Sequence, residues 1–199
     1  MTSSSFKKIS VVFLFTAFVF IFSVESAVAR VDDGFMKSKK IKTQYFTIFL
    51  ERNIDVDLLA LNLSVPHSLQ AIISEPLFFD NPYSLEAQFD MLFLVVSELM
   101  DLSLPDFHVD VKICTDSYRM ENITKKLFGK RRNVPGFYLE HNNTIYVNAS
   151  DISIHIFGHE LSHALQCNYF VVKPPEKLQE VLAGYVEYQF RKYTNDLPL

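Results

Sequence analysis

The sequence predicts an α+β domain in which a small mixed sheet carries its helices. Runs rich in aromatic and β-branched residues at 43–51 and 107–114 predict strands. A nearly all-apolar segment at 84–102 predicts a buried helix, and two further helical segments lie near the end of the chain. The chain has no internal repeat and no Gly/Ser linker, so one domain is the simplest interpretation.

The first half of the chain predicts one strand and two helical regions. The segment "TQYFTIFLE" (43–51) has the composition of a strand. Asp55 to Ile73 has helical spacing, which we expect Pro66 to interrupt because proline lacks the backbone N–H that a helix interior needs. The segment 84–102 is apolar nearly all round, with Ser84 as its N-cap, and is therefore expected to be largely buried.

The second half predicts a strand, a short helix and a hairpin. The segment "FHVDVKIC" (107–114) alternates as a strand does, and 116–128 reads as a helix closed by Gly129. The segment 136–150 predicts a hairpin with His141-Asn142-Asn143 at its turn.

Two helices end the chain, from about Asp151 to Cys167 and from about Pro175 to Tyr193. We expect the second to approach another helix closely at the small residues Ala183 and Gly184. Its apolar stripe is predicted to consist of Leu178, Val181, Leu182, Tyr185, Val186 and Phe190.

The first residues have the pattern of an export signal. Lys7 and Lys8 precede an apolar segment at 9–24, and Ala27-Val28-Ala29 supplies small residues for cleavage. A 16-residue helix would be roughly 24 Å long, shorter than the ~30 Å hydrocarbon core, and no later segment is long and apolar enough to span. We therefore expect a signal peptide at 1–29, a single domain at 30–199 and a secreted or periplasmic protein without a stable membrane span after cleavage.

The net charge of the chain does not favour nucleic acid as a partner. Without Lys7, Lys8 and Glu25, the 19 basic and 23 acidic residues become 17 and 22, which gives a formal charge of −5. The basic runs at 37–40 and 130–132 are short and separated, and we interpret them as solvated loops.

The two cysteines, Cys114 and Cys167, predict either a disulfide or two buried thiols. Export and an even count favour the disulfide, with Cys167 ending one helix and Cys114 ending a strand expected to lie beneath it.

The segment "HELSH" carries the most specific chemistry in the chain. His159 and His163 are four residues apart on a predicted helix, so both imidazoles can point at one metal ion. Glu160 is turned about 100° from His159, which allows it to reach a metal-bound water without acting as a ligand. This is the arrangement that zinc hydrolysis uses, but a catalytic zinc usually takes three protein ligands.

The third ligand has several candidates. His155 is about 12 Å along the helix from His163, too far for both to bind one ion, and the chain has Gln166 and Tyr169 where another zinc-protease pattern has Gly and His. Glu180 borders the apolar stripe of the last helix and is our candidate, with an ordinary surface glutamate as the alternative. His141 and Glu187 are next in line.

His159-Glu160-x-x-His163, followed by the segment from Glu180 to Glu187 ("EVLAGYVE"), resembles the gluzincins, specifically the peptidase MA-like proteins related to aminopeptidase N. The upstream order of strand, helices, strand, helix and hairpin is similar too. The resemblance implies a zincin-like fold, one zinc ion held by His159, His163 and Glu180, and Glu160 as the general base. It also implies a peptide or protein substrate, hydrolysed by a zinc-activated water.

The sequence departs from this family in two places. Val181 stands where the family often has Gly, and larger relatives continue into a C-terminal part that supplies a Tyr or His for the oxyanion. Four residues are available for that role here: Tyr138, His155, Tyr146 and Tyr185. The chain most resembles the minimal gluzincins, which possess the metal site on a stripped scaffold, and this resemblance allows for a latent or inactive protein.

Three functional hypotheses follow. The first is an exported zinc metallopeptidase, in which the segment 143–148 ("NTIYVN") offers an edge strand to an extended peptide. The second is a catalytically silent, zinc-stabilised binding or inhibitory module. The third keeps the fold and treats "HELSH" as a chance pattern without metal.

Overall fold

The computed structural model describes residues 32–74 and 79–197. The predicted signal peptide at 1–29 lies outside these residues. The described residues all belong to one compact unit. No helix within the described ranges is long and apolar enough to cross a membrane.

The described part of the chain contains five strands and six α-helices, so the protein is α+β as predicted. The strands are β1 (Lys37–Lys42), β2 (Phe46–Glu51), β3 (Val109–Cys114), β4 (Gly136–Leu139) and β5 (Thr144–Asn148). The helices are α1 (Val56–Asn62), α2 (His67–Gln70), α3 (Leu85–Met100), α4 (Ser117–Phe128), α5 (Ile154–Tyr169) and α6 (Glu176–Thr194).

The strands form one mixed sheet in the order β1-β2-β3-β5-β4. The central pairs β2/β3 and β3/β5 are parallel, whereas the outer pairs β1/β2 and β5/β4 are antiparallel. The predicted hairpin at 136–150 is present as β4 and β5. The prediction that 143–148 forms an edge strand is wrong, because β5 pairs with both β3 and β4 and leaves β4 at the edge.

The local signals at the helix ends act as the sequence predicts. Ser84 caps α3 by accepting a hydrogen bond from the Ala87 N–H, and Asp116 caps α4 in the same way through Arg119. Gly129 ends α4 with a φ of 74°, a left-handed conformation that glycine adopts without a Cβ clash. These caps fix where each helix begins and ends.

The main core lies between one face of the sheet and helices α3, α5 and α6. Alternate residues of each central strand point into it, such as Val111 and Ile113 of β3 and Ile145 and Val147 of β5. The opposite face is covered by α4.

On that opposite face a buried ion pair joins Lys112 of β3 to Asp33. The Asp33 carboxylate also accepts a hydrogen bond from the Tyr146 hydroxyl at 2.7 Å. These contacts tie the segment that precedes β1 to the sheet.

The predicted disulfide is wrong, because both cysteines are free. Cys114 follows Ile113 on β3, so its side chain points to the opposite face, where it packs with Met120 and Ile123 of α4. Cys167 is on α5, which packs against the main-core face. The sheet therefore separates the two thiols.

The basic run at 37–40 is also not a loop, since it belongs to β1. Its lysines are exposed on an edge strand, a position where charge discourages pairing with a second sheet. The run at 130–132 lies outside helices and strands, as expected.

Helix α6 packs tightly against α5 at Gly158, whereas the predicted close approach at Gly184 is wrong, because a Cβ there would meet nothing within 4 Å. A Cβ at Gly158 would come within 2.9 Å of Phe190 Cδ2 and closer still to Cε2. Phe190 is fully buried, so its ring cannot move aside without disturbing the core. The absence of a side chain at Gly158 therefore sets how closely α6 packs beside the histidines.

We predict that Gly158→Ala destabilises the protein by about 1–3 kcal/mol, because overpacking at Phe190 outweighs the gain in helix propensity. Gly184→Ala is the matched control, since a Cβ at that exposed α6 position meets nothing within 4 Å. It should stabilise by about 0.5–1 kcal/mol. Urea unfolding of the three proteins measures both effects, and a Gly158→Ala variant as stable as the parent would contradict this account of the packing.

Candidate metal centre

Helix α5 supplies the first two candidate ligands and begins at a defined position. Ser153 caps the helix by accepting a hydrogen bond from the Ile156 N–H at 3.3 Å. His159 and His163 then lie one turn apart, with Nε2 atoms 3.3 Å from each other. Their exposed side-chain fractions are 25% and 14%, so the pair is partly open to solvent.

Glu180 reaches this pair from α6. Its Oε2 lies 3.6 Å from His159 Nε2, and its Oε1 lies 3.5 Å from His163 Nε2. The residue before it, Gln179, is held to α5 because the buried Gln166 side chain donates to its carbonyl at 3.3 Å. Contact between the two helices thus brings Glu180 to the histidines, across sixteen intervening residues of chain.

The three side chains are close enough to share one metal ion. Zinc lies about 2.0–2.1 Å from nitrogen and oxygen ligands, and two such ligands at a tetrahedral angle are therefore about 3.4 Å apart. The two Nε2 atoms are 3.3 Å apart, close to this value, and each lies 3.5–3.6 Å from a different oxygen of Glu180. Within residues 32–74 and 79–197, His159, His163 and Glu180 form the one group of His, Cys, Asp or Glu side chains in which one ligand atom from each lies within 4.8 Å of the others.

The protonation of His163 also suits a metal ligand. Burial and the neighbouring His159 hold the pKa of His163 below its ordinary value, although Glu180 opposes them. The imidazole is therefore neutral at neutral pH, which is the form that binds a metal.

Glu187 lies behind His159 and does not take the position of a third ligand. Its Oε2 is 3.4 Å from Nδ1 of His159, the ring nitrogen on the side away from His163. This distance is long for a hydrogen bond, and the buried Nδ1 has no hydrogen-bond partner among the described residues, so the contact is electrostatic. Arg191 holds the same carboxylate at 2.9 Å. Carboxylates in this position orient metal-binding histidines.

Glu160 is next to the triad but has a different environment. The residue as a whole is half-buried, yet its carboxylate is largely desolvated, which raises its pKa to about 7. The Tyr138 N–H, which donates to Oε2 at 2.9 Å, lowers the pKa, while Glu180 and Glu187 raise it further. A carboxyl group with a pKa near neutrality can both accept and release a proton at neutral pH.

The edge strand β4 lies against this carboxylate. The Tyr138 N–H points away from β5, off the open edge of the sheet, and towards Glu160. A Cβ at Gly136 would be 3.4 Å from Glu160 Cγ and only 2.9 Å from a methyl group of Val147, so a side chain at this position would be crowded.

The side chains of the four candidate oxyanion donors hydrogen-bond to other residues, lie on the opposite face of the sheet or are exposed: Tyr138, Tyr146, His155 and Tyr185. The Tyr138 hydroxyl donates to Asn143 at 2.8 Å, and Tyr146 is on the opposite face of the sheet. His155 is hydrogen-bonded near the end of α6, and Tyr185 is exposed on the outside of that helix. The fallback ligand His141 is exposed in the short 3-10 turn between β4 and β5.

Three contacts around the triad were not predicted from the sequence. These are the contact of Glu187 with His159, the hydrogen bond from Gln166 to α6, and the hydrogen bond from β4 to Glu160. The seven-residue spacing of Glu180 and Glu187 was an available signal for the first, because such residues share a helix face. The other two depend on contacts between separate elements, which spacing does not encode.

Comparison of the chain with family models, with curated proteins and with solved structures finds no match.

The environment of Glu160 predicts a pH dependence of stability in metal-free protein. Between the ordinary value of 4.5 and about 7, the folded state keeps the proton that the unfolded state releases, so the free energy of unfolding falls as pH rises through this window. Glu160→Gln removes this dependence while its amide oxygen can still accept from the Tyr138 N–H. Between pH 4 and pH 8, the free energy of unfolding of the variant should therefore rise by roughly 2–3 kcal/mol relative to that of the parent.

Urea unfolding in the presence of a chelator measures this difference at each pH. His163 contributes in the opposite direction, because its lowered pKa makes stability rise with pH. This contribution is the same in both proteins, so it cancels in the difference between their free energies of unfolding. A difference that stays constant from pH 4 to pH 8 would contradict the raised pKa of Glu160.

Proposed function

We propose that the protein is a zinc-dependent metallopeptidase on a zincin-like fold, exported from the cytoplasm by its N-terminal segment. The observation that carries this proposal is the convergence of His159, His163 and Glu180, in which one ligand atom from each residue lies within 4.8 Å of the others. The position of Glu160, one residue after the first ligand, supports a hydrolytic rather than a purely structural site.

Each residue has a distinct role in this proposal. His159, His163 and Glu180 hold the ion, and Glu187 orients His159 through Nδ1. When bound, zinc supplies Lewis acidity that polarises the scissile carbonyl and activates water. Glu160 takes a proton from the attacking water through Oε1, because Oε2 accepts from the Tyr138 N–H, and then delivers it to the leaving amine.

The substrate in this proposal is an extended peptide that pairs with β4. The open edge of the sheet at Gly136–Leu139 lies directly beside Glu160, so a peptide added to this edge passes the base. In this proposal β4 is the edge strand that pairs with the peptide, a role that the sequence suggested for 143–148.

One observation favours the second candidate, a zinc-stabilised binding or inhibitory module without turnover. Within the described ranges, the side chains of the four candidate oxyanion donors hydrogen-bond to other residues, lie on the opposite face of the sheet or are exposed. Loss of a single oxyanion donor lowers kcat by about 100- to 1000-fold in other hydrolases, so such a site can bind zinc and hydrolyse slowly.

Substitutions that separate ligand from base test the proposal. Glu160→Gln should retain about one zinc per chain while peptide hydrolysis falls at least about 100-fold. His159→Ala, His163→Ala and Glu180→Gln should each lose or weaken zinc binding, because each removes one of three ligands. Zinc is measured by mass spectrometry of the metal, and hydrolysis with a library of quenched fluorescent peptides.

The matched control is Glu176→Gln, an exposed carboxylate in the first turn of α6, which should change neither zinc content nor hydrolysis. Zinc affinity unchanged in Glu180→Gln would refute the α6 ligand. A zinc-loaded parent that hydrolyses no peptide would refute the enzyme and favour the binding module.

A further inference from the structure

Helix α6 has two apolar faces, of which only one is used by the core. Ala183, Val186 and Phe190 are fully buried against the rest of the domain. Four further apolar residues of the same helix are exposed by 44–60%: Leu178, Val181, Tyr185 and Tyr188. Their spacing of three, four and three residues places them on one continuous stripe.

The exposed stripe faces away from the core. At about 100° per residue, its four members lie roughly 150° around the helix axis from the buried face. This outer surface of α6 also explains why the predicted apolar stripe is only partly correct: of its six members, Val186 and Phe190 are fully buried, Leu182 is half-buried, and the other three are exposed.

The loop that leads into α6 is apolar as well. Val171 and Val172 are exposed by 102% and 85%, and Tyr169 before them is exposed by 44%. Single exposed apolar residues are ordinary on protein surfaces, but seven of them at the end of α5, in the following loop and on one face of α6 indicate an interaction surface.

The charged residues of α6 are divided between its sides. Lys177 and Lys192 are exposed and lie at the two ends of the stripe, within about 60° of its centre. Glu180 and Glu187 lie on the side towards the histidines, and Glu176 is about 40° from Glu180 around the helix axis, away from the stripe. The outer surface of α6 therefore combines apolar side chains with positive charge and carries no carboxylate.

This charge pattern decides between occupants. If two copies of the chain paired through the stripe, in either direction, the lysines of one copy would face lysines of the other, and these like charges would repel. An anionic partner is complementary. Valines that protrude from a loop fit a deformable surface better than a shaped pocket, and tyrosines are enriched where an apolar phase meets water.

We propose that the outer surface of α6, together with the Val171-Val172 loop, binds the interface of an anionic lipid bilayer. The apolar side chains enter the boundary between headgroups and acyl chains, while Lys177 and Lys192 contact the anionic headgroups. The binding is peripheral and does not depend on zinc, so it can be tested separately from hydrolysis.

Vesicle co-sedimentation tests the proposal. The protein used is residues 30–199, because 31–199 form a compact unit with its own core and because the apolar segment 9–24 would bind lipid by itself. We expect binding to vesicles of phosphatidylcholine mixed with phosphatidylserine, and much weaker binding to phosphatidylcholine alone. Tyr185→Ser/Tyr188→Ser and Lys177→Glu/Lys192→Glu should each weaken this binding by about tenfold or more.

Matched controls come from surfaces of the same kind elsewhere in the chain. Leu58→Ser/Leu61→Ser changes exposed apolar residues of α1, and Lys39→Glu/Lys42→Glu changes exposed lysines of β1. Both should bind vesicles as the parent does. Circular dichroism of every variant checks that the fold is retained.

Three results would overturn the proposal. The first is a parent protein that does not sediment with the anionic vesicles. The second is binding that depends on the β1 lysines and not on α6. The third is a parent dimer, seen by light scattering, that the tyrosine substitutions convert to monomer without any lipid binding, because this surface would then join two copies.

Discussion

The candidate metal site depends on how closely α6 packs against α5. His159 and His163 are one turn apart on a single helix, but their third partner is on another helix and must be brought to within 3.6 Å by tertiary packing. Gly158 permits this approach by leaving room for the Phe190 ring, and Gln166 holds the chain one residue before Glu180. The same contact between helices buries the core and assembles the ligands, so stability and metal binding are coupled in this fold.

The position of Glu160 carries an energetic cost that is consistent with a functional role. Its largely desolvated carboxylate is destabilised further by the charges of Glu180 and Glu187, and it accepts a hydrogen bond from the Tyr138 N–H of the edge strand. Burial of this kind destabilises the ionised form, and such sites are common where a protein needs a base near neutral pH. A bound cation would offset the repulsion among Glu160, Glu180 and Glu187, because its charge is opposite to theirs.

Local sequence signals predicted most of the secondary structure. The caps at Ser84 and Gly129 and the interruption near Pro66 act through the backbone of their own segments, so they can be read from the sequence. The histidines and Glu160 follow from helix geometry within one segment. Their convergence with Glu180 agrees with the ligand set that the family resemblance implies, although zinc itself and the reaction stay proposals.

The errors share a physical origin, which is that pairing and burial are decided between segments. The sequence of β1 lacks the alternation of apolar and polar residues that marks a strand, because an edge strand tolerates lysines at its exposed positions. Cys114 was placed beneath α5, yet the period-2 alternation with Val111 and Ile113 turns it to the other face. Helical periodicity identified α6 but did not show which of its two apolar faces is inside, and the insertion of β5 between β3 and β4 is a non-local pairing.

The most direct test of the account is a crystal structure of the zinc-loaded protein with anomalous scattering recorded at the zinc absorption edge. The account predicts one peak per chain between α5 and α6, about 2.1 Å from Nε2 of His159, from Nε2 of His163 and from one carboxylate oxygen of Glu180. Zinc bound elsewhere, a site in which another residue replaces Glu180, or a chain that takes up no zinc would contradict it.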